Sequence, residues 1–120
     1  MSSMEKKSLT KPDETRPIDH GTVELVKLGG VTFSRLTLQP GWKWSLSVKP
    51  IAKTHSCQVH HVGHVISGRM AVKLDNGEEV EYGPSDVYDI PPGHDAWIVG
   101  NETFVGVDVS GEMAGYAKSQ

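Results

Sequence analysis

Several things are scarce in this chain, and each scarcity narrows the field. There is one cysteine in 120 residues, so no internal disulfide can form, and a reducing, cytoplasmic setting is expected. No stretch approaches the ~18 consecutive apolar residues of a membrane-spanning helix. The opening MSSMEKKSLTKPDETRP has no apolar core and does not read as a secretory signal. Twelve Lys and Arg stand against fifteen Asp and Glu, a net charge of -3 with the signs interspersed. No basic stripe remains for nucleic acid or an anionic membrane. The hydrophobic fraction is 37% and aromatics are 7%, enough at this length for one core and one domain. No window of ~11 residues carries the apolar stripe of a helix.

What is present is β punctuation. Residues 23–28 meet Gly29-Gly30 and are followed by 31–38, a hairpin across a Gly-Gly turn. Gln39-Pro40-Gly41 breaks the pattern, and Trp42-Lys43-Trp44-Ser45-Leu46 alternates again as a strand would. Residues 65–74 carry two strands around Gly68, and Asp75-Asn76-Gly77-Glu78 predicts a two-residue hairpin loop. Further short strands are expected at 79–82, 87–90, 96–99 and 103–109, set apart by Gly83-Pro84, Pro91-Pro92-Gly93 and Gly100-Asn101. This spacing predicts an all-β sandwich, barrel or jelly roll over residues 18–110. Residues 1–17 read as a disordered N-terminal tail, and 111–120 as a C-terminal tail, frayed or forming one helical turn.

Five of the six histidines and the one cysteine lie between residues 55 and 94; His20 stands apart. On an extended strand, His55, Cys57 and His61 would point to one face, with His60 and His64 on the other. Three such ligands on one face suit a transition metal. A plainer reading competes: His61 as a hydrogen-bonding pocket residue and Cys57 as a small buried hydrophobe.

Two further patterns accompany this run. A glycine, Gly68, closes the segment that begins at His55, and Ser85-Asp86-Val87-Tyr88-Asp89-Ile90-Pro91-Pro92-Gly93 precedes His94. In these two stretches the chain resembles the small single-domain cupins of the cupin 2 conserved-barrel type. Pro40-Gly41-Trp42-Lys43-Trp44, Ser56-Cys57-Gln58 and Val65-Ile66-Ser67-Gly68-Arg69 bring it nearest to an uncharacterised bacterial subgroup of them. The resemblance, over residues 31–109, implies a double-stranded β-helix, or jelly-roll, cupin barrel.

Aligning Gly68 with the closing glycine of the first cupin motif puts His55 and Cys57 at its two histidine positions and His61 at its glutamate. The histidine of the second motif falls on Ala96, with His94 two residues early. The metal set implied is therefore His55, Cys57, His61 and His94. Imidazoles with one thiolate favour zinc or nickel over manganese, and no organic cofactor is evident. Trp44, Trp97 and Arg69 are candidate ligand-binding residues, the indoles as an aromatic rim and the guanidinium as a carboxylate partner. Asp95 is a candidate catalytic base or a partner that orients His94. The expected function is binding of a small molecule and a divalent transition metal in the barrel. The alternative is a metal-dependent isomerase, lyase or dioxygenase acting on a small organic acid or sugar-like metabolite. Edge strands of a small barrel are commonly covered by a second copy, so a homodimer is expected.

Overall fold

The computed structural model describes residues 3–116. Nine strands form two sheets. They are β1 (Glu14–Ile18), β2 (Gly21–Leu28), β3 (Val31–Leu38), β4 (His61–Ser67), β5 (Arg69–Leu74), β6 (Glu79–Tyr82), β7 (Val87–Ile90), β8 (His94–Val99) and β9 (Phe104–Asp108). The larger sheet runs β1-β2-β3-β9-β4-β7 and the smaller β6-β5-β8, every neighbouring pair antiparallel. Among the described residues no helix is long and apolar enough to cross a membrane.

Alternation fixes which side chains face inward. Along β3 the buried positions are Ser34, Leu36 and Leu38; along β9 they are Phe104, Gly106 and Asp108. Register sets Leu38 opposite Phe104, Leu36 opposite Gly106 and Ser34 opposite Asp108. The inward face is therefore apolar at one end of these strands and polar at the other. Trp44, Val65, Val72, Ile90 and Ile98 close the core from the remaining elements. Each such side chain adds roughly 1.5–3 kcal/mol by leaving water.

Gly68 is where the chain leaves the larger sheet for the smaller. It has φ +77°, and a Cβ there would lie 2.6 Å from the Phe104 Cα. Only glycine satisfies both the turn and the approach of β9. The register of β4 against β9 slips between Val65 and Ser67, a bulge that bends the strand toward this crossover.

Four expectations need correction. The stretch 42–46 is not a strand. Only Lys43 bridges to β8, opposite Trp97, and two short helical turns follow, α1 (Trp44–Ser47) and α2 (Lys49–Ala52). Trp44, Ser47 and Val48 are buried together, the i, i+3, i+4 spacing of a helical face. The hairpin after β5 has a longer loop than two residues. Gly77 N–H donates to Leu74 O, Leu74 N–H donates to Glu78 O, and Gly77 sits at φ +96°.

The remaining two corrections concern the ends. β1 starts at Glu14, inside the segment read as a tail, because Arg16 turns inward against the C-terminal segment. Of the two readings of that segment, frayed or one helical turn, the helical turn is the one observed, and it is docked. Residues Gly111–Gly115 form a 3-10 helix, Ser110 caps it by accepting from Glu112 N–H, and Met113 and Tyr116 are buried. The Arg16 guanidinium donates to Tyr116 O at 2.6 Å and holds the segment over one end of the barrel. Of the two tails, residues 1–2 and 117–120 lie outside the described residues.

Candidate metal centre in the barrel

Three of the four expected ligands meet. The donor atoms of Cys57, His61 and His94 lie within 4.8 Å of one another, and all three residues are buried. Cys57 comes from the irregular stretch before β4 and is tied to the first residue of β8 by a β-bridge, Cys57 N–H donating to His94 O at 2.8 Å. His61 opens β4 and His94 opens β8. The backbone, through this bridge and the two strand starts, brings the three side chains together.

Each imidazole is oriented by a partner on its far nitrogen. His61 Nδ1 lies 3.0 Å from Oδ2 of Asp108, a side chain with no exposed surface. His94 Nδ1 lies 2.7 Å from Pro91 O, a carbonyl that can only accept. The His94 ring therefore carries a proton on Nδ1, and both rings, anchored through Nδ1, turn Nε2 inward. The His61 Nε2 is 3.7 Å from Cys57 Sγ, and the two imidazoles meet edge to face at 5.2 Å between centroids.

The surroundings set the protonation of the ligands. Burial, with the charge of His61 as a second cause, pulls His94 down to about 4, so its ring is neutral near pH 7. Burial pushes the Cys57 thiol up to about 12, helped by the charges of Asp95, Asp108 and Glu112. An unassisted thiolate nucleophile is therefore not supported; a bound cation would reverse the bias, since it directly favours the thiolate.

The donors fit a late divalent ion. Four-coordinate zinc holds nitrogen and sulfur donors at ~2.0–2.3 Å, which separates neighbouring donors by roughly 3.3–3.8 Å. The Cys57–His61 separation of 3.7 Å already falls in that range, and the His94 donor lies within 4.8 Å of both. Oriented imidazoles with carboxylate or carbonyl partners are what metal-ligating histidines require.

Other expected residues lie elsewhere. His55 is exposed and outside the group: residues 53–60 do not run as a strand, so strand parity does not apply to them. Arg69 is exposed on the outer surface and pairs with Glu81 at 2.6 Å. Trp97 is half-buried beneath Lys43, whose Nζ sits 5.6 Å from the ring centroid. Asp95 Oδ1 accepts from the N–H of Ser45 and of Ala96, fixing the start of α1, while His94 Nδ1 faces the Pro91 carbonyl instead. His60 pairs with Asp89 at the surface, and His64 is exposed.

Trp44, by contrast, lines the cavity beside the cluster. That cavity measures about 30 Å³ and is walled by Leu36, Leu38, Trp42, Met70, Val72 and Phe104, with His61, Tyr88, His94 and Tyr116 contributing polar edges. Sequence reasoning passed over Asp108 and Tyr116. Asp108 shares the inward parity of Phe104, the one signal that could have marked it.

Two closing antiparallel sheets with the cluster inside define a cupin barrel, and solved structures agree. The chain is similar to a protein of unknown function from Rhizobium leguminosarum, with TM-score 0.65 and 22% identity over 91% of this chain and 97% of that one. It is also similar to the polyketide cyclase RemF from Streptomyces resistomycificus, with TM-score 0.62 and 18% identity over 90% and 79% of the two chains. A cupin-like protein from Thermotoga maritima matches with TM-score 0.58 and 13% identity over 90% and 84%. The chain has the cupin fold. No family model and no curated protein matches its sequence.

Proposed function

We propose that this protein is a metal-binding cupin that holds a late divalent transition ion, zinc or nickel, on Cys57, His61 and His94. It would present that ion to a small ligand in the barrel cavity. The observation that carries this reading is the pair of oriented imidazoles. Asp108 and the Pro91 carbonyl each occupy an Nδ1, so two Nε2 atoms and one sulfur converge in a buried space. Without an ion the Cys57 thiol keeps its proton beside His61 Nε2, and a divalent ion would displace that proton and engage all three donors. Burial opposes the proton on His94 and favours a cation of higher charge with nitrogen and sulfur affinity.

Three protein ligands leave a coordination position for a ligand or water, as in catalytic rather than structural zinc sites. An ion there supplies Lewis acidity, polarising a ligand oxygen or lowering the pKa of bound water. His61 and His94 hold their positions through Asp108 and Pro91 while Tyr116 covers the cluster, its ring 5.4 Å from that of His61. A metal-dependent enzyme is the second reading, favoured by that open position alone.

Cobalt(II) titration tests the proposal. A thiolate-to-metal absorption band is expected for the wild type and for His55→Ala, and its loss for Cys57→Ser. A featureless titration of the folded wild type would overturn it.

A further inference from the structure

The wall of the cavity makes a statement about what it accepts. Among the described residues no lysine or arginine lines it, and most of its surface is aliphatic or aromatic. Three nearby cations are engaged elsewhere: Arg69 with Glu81, Lys43 over Trp97, and Arg16 with the Tyr116 carbonyl. One donor in the wall is unmatched. Trp42 is only 3% exposed, lines the cavity, and its Nε1–H has no acceptor among the described residues. Buried N–H groups are almost always paired, and an unpaired one gains free energy from any acceptor placed against it.

We infer that the cavity takes a small neutral ligand, apolar in body and carrying an acceptor oxygen of the ketone or aldehyde kind, with Trp42 Nε1–H as its donor. The inference rests on the reading of this cavity as a ligand site. A carboxylate would enter a space without a cationic side chain. A divalent ion at the cluster would already be balanced by the Cys57 thiolate and the Asp108 carboxylate. Buried charge without a partner is strongly disfavoured. A sugar would bring several hydroxyls to a wall that is mainly hydrocarbon, and each unmatched hydroxyl would lose its hydrogen bonds to water. This class differs from the organic acid or sugar that the fold resemblance suggested.

The test uses the zinc-loaded full chain and two probes of equal heavy-atom count, butanone and propionate. Binding is followed by the indole N–H resonance of Trp42 in isotope-labelled protein. Butanone is expected to move that resonance and to bind at least about tenfold more tightly than propionate. Trp42→Phe should weaken butanone binding about five- to tenfold while retaining the ring. Propionate binding as tightly as butanone, or a Trp42 resonance unmoved by butanone, would overturn the inference; the wild-type resonance decides this even where the variant does not fold. Zinc content measured on the same sample separates the two claims. Zinc bound without a butanone response defeats this inference alone; butanone bound at Trp42 without zinc defeats the metal reading alone.

Discussion

His61 Nδ1 and Asp108 Oδ2 lie 3.0 Å apart in the interior of the barrel, and the other carboxylate oxygen of Asp108 accepts from Ser110 N–H at 2.8 Å. The carboxylate thus serves two donors, one on the imidazole and one on the backbone that leads to the C-terminal segment. This arrangement fixes which nitrogen of His61 faces Cys57, and it links the cluster to the cover above it.

Asp108→Asn tests that link. An amide offers one acceptor oxygen where the carboxylate offers two, so either His61 or Ser110 must face an N–H group. Affinity for zinc should fall by about 10- to 100-fold, read by competition with a chromophoric chelator. Unchanged affinity would show that Asp108 does not orient His61.

His94 supplies a pH dependence with a definite sign. Its folded pKa is lowered to about 4 from an ordinary value of 6.5, first by burial. Between those values the unfolded chain binds a proton that the folded chain does not, so stability rises with pH across that window. Chelator-treated protein should therefore lose stability as pH falls from about 6.5 to about 4, by up to about 3 kcal/mol from this residue. Carboxylates act in the same direction at the acid end, so the measurement is urea unfolding of wild type beside His94→Gln. A flatter profile is expected for the variant; identical slopes would contradict the assignment.

Gly68→Ala should destabilise the fold by about 3 kcal/mol or more. The new methyl meets the Phe104 backbone at 2.6 Å, and the residue must also hold φ at +77°. The midpoint of urea denaturation reads this directly. Gly77→Ala, with nothing within 4 Å of the added carbon, isolates the cost of the positive φ alone.

Much of the barrel was legible because its turns are chemically explicit. Gly29-Gly30 sits at φ +60° and +77°, and Gly68 and Gly93 also adopt the left-handed conformation that their positions between strands imply. The cupin fold followed from that skeleton. The misread pieces depend on contacts distant in sequence. The alternation of residues 42–46 fits a strand as well as a short helix, and the choice is made by Asp95, fifty positions away, receiving Ser45 N–H. Arg16 and Tyr116 look solvated in sequence and are buried because each covers the other.

The candidate site was half legible for the same kind of reason. Cys57, His61 and His94 lie in recognisable motif stretches, whereas discarding His55 required knowing that the chain before β4 is irregular. Arg69 was drawn in by its place after Gly68, but the strand it opens turns it outward to Glu81.

The central claim is that one late divalent ion sits on Cys57, His61 and His94. Metal content of purified protein, by elemental analysis after equilibration with zinc and removal of excess, tests it most directly. Stoichiometric zinc is expected in the wild type and in His55→Ala, with marked loss in Cys57→Ala, His61→Ala and His94→Ala. Folded wild-type protein that retains no zinc, or variants at these three positions that retain it fully, would contradict the account.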